Sequence, residues 1–157
     1  MAEIGRVAGL THGAIYSGFA SKSELAVAAL QAGREESRHR TMKAVGANPD
    51  LETLLHHYVS KRQRDDRVRC CPMVASASEA ARQDSAYRCA FADIFFEFAS
   101  TVQAAIEREG APDAHRKALA VAARMIGAVA VARALDGHAS DELLAAARVS
   151  LAKLAAP

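Results

Sequence analysis

The stretch from residue 4 to residue 25 constrains the fold more than any other part of this sequence, because several helix boundaries follow one another there. Ile4, Val7 and Ala8 have the i, i+3, i+4 spacing of one apolar helix face. Gly9 comes next, and glycine is the usual residue where a helix ends in a left-handed conformation. We therefore predict a short helix that ends at Gly9.

A second and a third helix begin within the same stretch. Thr11 can cap the second helix by accepting a hydrogen bond from a backbone N–H, and Ile15 and Phe19 share one face of that helix. Residues 21–24 have serine at the N-cap and glutamate three positions later, which is the capping box that opens a helix. Two short helices joined by a glycine-containing turn predict a helix-turn-helix, whose second helix enters the major groove of DNA.

These residues resemble the signature of the TetR/AcrR-type bacterial transcriptional regulators. The matching positions are Ile4, Ala8, Gly9, Gly13, Ile15, Tyr16, Phe19, Ser21, Lys22 and Leu25. The resemblance implies an all-α protein with a DNA-binding region at residues 1–44 and a helical effector-binding and dimerisation domain at residues 45–157. It also implies a homodimeric regulator, most often a repressor, which a small effector releases from a palindromic operator.

Members of that family have a complete helix ahead of the helix-turn-helix, whereas Met1 here already falls in the first helix of the motif. Ile4, Val7, Ile15 and Phe19 would then lose a packing partner, and such side chains contribute about 1.5–3 kcal/mol each when fully buried. We expect the DNA-binding module to be incomplete and frayed unless something else covers it. The alternative function is a helical, dimeric ligand-binding module that no longer binds DNA.

The candidate DNA contacts divide by chemistry. Thr11 can offer a hydroxyl and a backbone N–H to a phosphate at a helix N-terminus, and the resemblance gives phosphate contacts to Tyr16 and Lys22. His12, Ala14 and Ser17 are the candidates for base edges, and an ordinary solvated histidine is the less favoured alternative for His12. The complete set is Thr11, His12, Gly13, Ala14, Tyr16, Ser17 and Lys22.

The composition indicates the general class of protein and its compartment. Half of the 157 residues are apolar, and the net charge of +2 does not by itself indicate nucleic acid. Residues 1–46 carry six Lys/Arg against four Asp/Glu, whereas residues 47–157 carry fourteen of each, so the basic excess lies at the N-terminal end. Three cysteines form no disulfide framework, and the apolar run at residues 125–132 is too short to span a membrane. We expect a soluble, cytoplasmic protein.

The rest of the chain reads as a series of helices. We predict helices over residues 21–44, 50–66, 85–109 and 113–135, a short helix opened by a capping box at residues 76–79, and a last helix capped by Ser140. On the first of these, Leu25, Ala28, Ala29 and Ala32 are expected to face the core. The mixed-charge run REESRHR that follows is expected to be solvated.

An aromatic stripe lies on the helix predicted at residues 85–109, where Phe91, Phe95 and Phe98 recur at i, i+4, i+7. Core packing is the default interpretation of such a stripe. The resemblance adds that the central helices enclose a pocket for a small, often apolar effector. The candidate lining residues are Tyr58, Met73, Phe91, Phe95, Phe98 and Met125.

Cys70 and Cys71 allow two interpretations. Arg67 and Arg69 could stabilise a reactive thiolate, but free cysteine is usually a buried small hydrophobe, and we favour that interpretation. The pair lacks the spacing of a zinc site, and the sequence indicates no metal or cofactor. No catalytic motif stands out either, so we do not expect an enzyme.

The last two predicted helices resemble the family's dimer interface, a four-helix bundle formed by two helices from each subunit. The middle of the first, AVAARMIGAVAVA, is apolar nearly all round, which predicts burial on more than one side. The candidate interface residues are Ile126, Val129, Arg133, Leu144, Ala147, Leu151 and Leu154.

Overall fold

The computed structural model describes residues 6–9, 11–66, 68–69 and 71–156, and the regular secondary structure in those ranges is entirely α-helical. This confirms the all-α prediction. After a helical turn at residues 6–8, the order is α1 (His12–Gly18), α2 (Lys22–Val45), α3 (Leu51–Tyr58), α4 (Lys61–Asp65), α5 (Pro72–Ala80), α6 (Ser85–Arg108), α7 (Ala114–Ala132) and α8 (Gly137–Ala155).

Most of the predicted helix boundaries are confirmed by their capping geometry. Gly9 ends the first turn with φ +66°, the left-handed conformation expected of a glycine in that place. The side chains of Thr11, Ser21, Asp50 and Asp84 each accept a hydrogen bond from the backbone N–H three residues later, at 3.2, 3.0, 2.7 and 3.0 Å. Local side-chain chemistry therefore determines where these helices start.

The prediction of one helix over residues 50–66 was wrong. The structure has two helices there, α3 and α4. Helix α3 ends at Tyr58 because Val59 leaves the helical conformation, with φ −87° and ψ 71°. Ser60 then caps α4 by accepting a hydrogen bond from the N–H of Gln63 at 3.2 Å.

Two predicted caps were also wrong, and in both cases the serine lies inside a helix. Helix α5 begins at Pro72, a residue suited to the first turn, and the Ser76 hydroxyl donates to the Pro72 carbonyl at 2.9 Å. Helix α8 begins at Gly137, and the buried Ser140 hydroxyl donates to the Ala132 carbonyl at 2.6 Å. Each hydroxyl donates to the carbonyl of a residue earlier in the chain instead of accepting from an N–H at a helix start. The sequence pattern alone does not distinguish these two uses of a serine.

The core lies where α6 and α7 pack together, with α8 on the other side of α7 and α2, α3 and α5 along the remaining faces. By length and apolar composition alone, α6 could cross a membrane, and it is the one such helix in the described part of the chain. It packs between α2 and α7 at the centre of the bundle, however, and the core helix of a globular protein has the same composition.

The buried face of α2 differs from the one predicted. Ala29 and Ala32 are exposed, whereas Leu30, Arg34 and Ser37 are buried. The run REESRHR is therefore not uniformly solvated. Arg34 and Ser37 lie four and seven residues after Leu30, on the same helix face, and both pack against the bundle.

Candidate functional site

A cavity of about 200 Å³ lies between α2, α3, the start of α5 and α6. Its walls combine a charged side from α2 with an apolar side from the other helices. The lining residues are Arg34, Ser37, Arg38, Thr41 and Met42 on α2, Leu54 and Tyr58 on α3, Cys71 and Met73 at the start of α5, Glu97, Phe98 and Thr101 on α6, and Gly46, Ala47 and Pro49 in the connection after α2.

The charged side of the cavity centres on Arg34, which is 9% exposed. Its Nη2 lies 3.1 Å from Oε1 of Glu97, an ion pair that joins α2 to α6. Its Nε is buried and has no hydrogen-bond acceptor among the described residues. A buried charged donor without an acceptor is expensive, so this atom marks a place suited to an additional acceptor.

Arg38 also lies on the cavity wall, one turn of α2 after Arg34, but its guanidinium is already hydrogen-bonded to a carboxylate. It donates from Nε and Nη2 to the two carboxylate oxygens of Glu35, at 3.0 and 2.7 Å. These hydrogen bonds lower the pKa of Glu35, which is therefore ionised at neutral pH and neutralises the Arg38 charge.

The apolar side of the cavity is built around a stacked pair of rings. Tyr58 and Phe98 have their ring centroids 4.9 Å apart at an interplanar angle of 27°. Leu54 and Met73, both completely buried, complete this wall. Side chains from three helices thus enclose an end that suits an apolar group.

Cys71 is buried beside this wall. Burial raises the pKa of its thiol, and the hydrogen bond from Tyr58 only partly opposes that effect. The thiol is therefore protonated at neutral pH, which agrees with the interpretation of a small buried hydrophobe rather than a reactive thiolate. Cys70 and Arg67 lie outside the described residues, and Arg69 is exposed.

The structure brings three of the six predicted pocket residues to this cavity, namely Tyr58, Met73 and Phe98. The other three are elsewhere. Phe91 and Phe95 are half-buried against the core, with Phe95 edge-to-face on Phe96 at 5.7 Å, and Met125 is completely buried on α7. The aromatic stripe of α6 therefore contributes a single ring to the cavity.

Sequence reasoning missed the charged wall. Leu30, Arg34, Ser37 and Thr41 follow the spacing i, i+4, i+7, i+11, which is that of one helix face. Because two of the four are polar and one is charged, an analysis that counts only apolar residues does not detect the face. The continued spacing from Leu30 is the signal that could have found it.

The predicted DNA-binding residues lie at the other end of α2 and on α1. Thr11, Gly13, Ala14, Ser17 and Lys22 are exposed. The side chains of the remaining two candidates, His12 and Tyr16, lie outside the described residues.

Half of the basic residues in the N-terminal segment are paired with carboxylates within the molecule. Arg34 pairs with Glu97, Arg38 with Glu35, and Arg40 with Glu36 at 2.5 Å. Three of the six basic residues counted there are thus paired with carboxylates, and the surplus of positive charge says little about phosphate binding.

The predicted interface residues on α7 and α8 mostly face the interior of the subunit. Ile126, Val129, Leu144 and Leu151 are at most 6% exposed. Ala147 and Leu154 are half-buried against the core, and Arg133 donates from Nη2 to the Gln63 carbonyl at 2.8 Å and from Nε to the Arg64 carbonyl at 3.1 Å. The exposed residues of the two helices include small residues and valine, namely Ala123, Gly127 and Val131 on α7 and Ala145, Ala146 and Val149 on α8, together with charged residues such as Arg124, Glu142 and Lys153.

Comparison with known proteins identifies a matching family profile and a solved structure with a similar fold. The sequence profile described as "Transcriptional regulator LmrA/YxaF-like, C-terminal domain", of TetR type, matches residues 49–149. The crystal structure of the reduced form of E. coli NemR superposes with a TM-score of 0.77 over 98% of this chain and 84% of that chain, at 19% sequence identity. At that identity the likeness concerns the fold alone. No curated protein gives a significant sequence match.

Proposed function

The chain belongs to the TetR family of transcriptional regulators, with a C-terminal domain of the LmrA/YxaF-like type, and from this premise we propose that it is a homodimeric repressor released from DNA by a small effector. It works as a cytoplasmic binding protein rather than as an enzyme. Its partners are a palindromic double-stranded operator, a second copy of the chain and a small molecule in the cavity.

One observation carries this proposal: α2 belongs to both candidate sites. The helix begins at Lys22, beside α1, and its second half lines the cavity from Arg34 to Met42. Its 24 residues make a rod of about 36 Å at 1.5 Å per residue. A ligand that shifts the cavity end of a rod of this length also displaces the other end.

The mechanism that follows is a shift between two arrangements of the dimer. In the DNA-competent arrangement the two copies of α1 match successive major grooves, one helical turn apart. An effector that fits the cavity better in another tilt of α2 stabilises the arrangement in which that spacing is lost. The effector need not contact α1 or the DNA.

Dimerisation is proposed through the outward faces of α7 and α8. Val131 and Val149 are 52% and 58% exposed, and the exposed Gly127 and Ala145 lie four residues before them on the same helix faces. Small residues allow close approach of helices, and a C₂ pairing of these faces would give the four-helix arrangement that the family uses. The larger hydrophobic residues of α7 and α8 remain in the core of each subunit.

The DNA-binding part is tested by fluorescence anisotropy on the DNA upstream of the gene, at two salt concentrations. Lys22→Ala removes one proposed phosphate contact per subunit, so we expect weaker binding and a salt slope smaller by about 2 per dimer. Lys43→Ala removes an exposed lysine at the opposite end of α2 and serves as the matched control. Equal slopes for the two variants would remove Lys22 from the proposed interface.

The dimer is tested by sedimentation equilibrium on Val131→Asp and Val149→Asp, which place a charge on the proposed interface. Both variants should be monomers at concentrations where the wild type is a dimer. Val68→Asp makes the same substitution at a residue that is 93% exposed and distant in sequence from α7 and α8, and it should leave the dimer intact. Dimers of unchanged stability in all three variants would reject this interface.

A further inference from the structure

We propose that the effector is a small apolar monocarboxylate whose carboxylate group binds Arg34 in place of Glu97. The inference rests on the proposed function of the cavity as the effector site. It goes further in naming the chemical class of the ligand and the ion pair that the ligand breaks.

The first argument is the state of Arg34. The residue is 9% exposed, its Nη2 pairs with Glu97 at 3.1 Å, and its Nε is buried with no acceptor among the described residues. A guanidinium presents its donors in a planar fork that matches the two oxygens of a carboxylate. A ligand carboxylate could satisfy Nε and a neighbouring nitrogen together, which Glu97 does not do in this arrangement.

The second argument is the charge of the cavity wall. Arg38 donates to both carboxylate oxygens of Glu35, whereas Arg34 pairs with Glu97 through Nη2 and its buried Nε has no acceptor, so among these two described lining arginines Arg34 is the one with an unsatisfied donor. Its partner Glu97 has a side chain that is 52% exposed and can return to water at little cost. One arginine with an unsatisfied donor suits a ligand that carries one carboxylate.

The third argument is the shape of the other end. The stacked rings of Tyr58 and Phe98, with Leu54 and Met73, form an apolar wall facing a space of about 200 Å³. A dry cavity of about 150 Å³ is enough to bind benzene. The space therefore takes one ring, or a branched chain of similar size, together with a carboxylate.

The exchange of partners has a structural consequence. The Arg34–Glu97 pair joins α2 to α6, the central helix of the bundle. When the ligand takes over Arg34, this connection is lost and the cavity half of α2 is held by the ligand instead. Competition between the ligand and Glu97 thus gives a defined step by which a small acid changes the position of α2.

The test is isothermal titration calorimetry of the full chain with benzoate and phenylacetate, each compared with its neutral amide. We expect the acids to bind and the isosteric amides to bind at least about tenfold more weakly, because only the acids offer a charged acceptor. Glu97→Gln frees Arg34 from its competitor and should tighten binding of the acids several-fold. Arg34→Gln should abolish it.

Arg40→Gln is the matched control, since Arg40 lies on the same helix, pairs with Glu36 and does not line the cavity. It should bind the acids as the wild type does. Equal affinity for acid and amide in the wild type, weaker acid binding in Glu97→Gln, or no binding heat for either acid up to about 10 mM would overturn the proposal. These readouts need no DNA. Failure here with intact operator binding would therefore reject the ligand class alone, and failure of operator binding would reject the proposed function.

Discussion

The segment of residues 6–21 and the bundle formed by α3–α8 are held together in different ways. In the segment, Val7 is 74% exposed, and hydrogen bonds such as Ala14 to Thr11 and Ala20 to Glu24 join residues three or four positions apart. In the bundle, Met125 is completely buried, and Arg148 reaches the Val59 carbonyl across 89 positions of sequence. The segment thus takes its shape from neighbouring residues, whereas the bundle depends on partners that are remote in the chain.

The comparison is tested most strongly by truncating one side chain in each region. Met125→Ala leaves a cavity in the core and should lower the free energy of unfolding by about 2–5 kcal/mol. Val7→Ala removes an exposed side chain and should change it by less than about 0.5 kcal/mol. Urea denaturation followed by circular dichroism measures both. Similar losses from the two substitutions would contradict the contrast.

A smaller effect is expected at Ser140, where the bundle uses a buried hydroxyl. This hydroxyl donates to the Ala132 carbonyl at 2.6 Å and accepts from Arg64 Nη1 at 3.0 Å. Ser140→Ala leaves both partners short of a hydrogen bond and should cost about 1–3 kcal/mol of global stability in the same denaturation experiment. Ser150→Ala, at an exposed position on the same helix, is the control and should have no measurable effect.

Ser21→Ala removes a hydrogen bond of the same kind from the other region. It takes away the cap at the start of α2, which is worth about 1 kcal/mol. Because Ser21 is exposed and its hydrogen bond lies within the first turn of α2, the loss should stay local. Hydrogen exchange should accelerate in the first turn of α2 while the urea midpoint remains unchanged. A shift of the midpoint as large as that of Ser140→Ala would show that the segment is coupled to the core.

The smallest effect concerns pH at a contact between the start of α2 and the start of α6, just beyond the segment. A hydrogen bond from the Ser23 side chain and one from the backbone of Tyr87 hold the pKa of Asp84 below its usual value. The stabilisation is therefore complete above about pH 4 and is lost as the pH falls through the folded-state pKa. Exchange at the start of α2 should rise in that range.

The matched variant for this effect is Asp84→Asn. Asparagine also caps helices well, so the start of α6 should persist while the acid-dependent change disappears. If the variant keeps the same pH dependence, another carboxylate is responsible for it.

The same contrast explains what could be predicted from the sequence. Gly9, Thr11, Ser21 and Asp84 act on residues within a few positions, so their roles as caps were visible in the pattern. Ser140 has the same local pattern, but its partners come from other helices, and the predicted cap was wrong.

The cavity shows more clearly which features the sequence alone could not predict. Arg34 belongs to a run that reads as a solvated charged face, and only the position of Glu97, 63 residues further along the chain (97 − 34), makes it part of a buried pair. The candidate interface was affected in the same way. The predicted set consists mostly of apolar residues at helical spacing, and Ile126, Val129, Leu144 and Leu151 among them are buried within the subunit's own core.

The central claim, that this chain is a DNA-binding regulator of the TetR family, is tested most directly by titrating the wild-type protein onto the DNA upstream of its gene and measuring fluorescence anisotropy. The account predicts saturable binding as a dimer to a palindromic segment, with affinity that falls steeply as the salt concentration rises. A folded protein that binds no upstream fragment at low salt would contradict it, and would leave a helical ligand-binding module in its place.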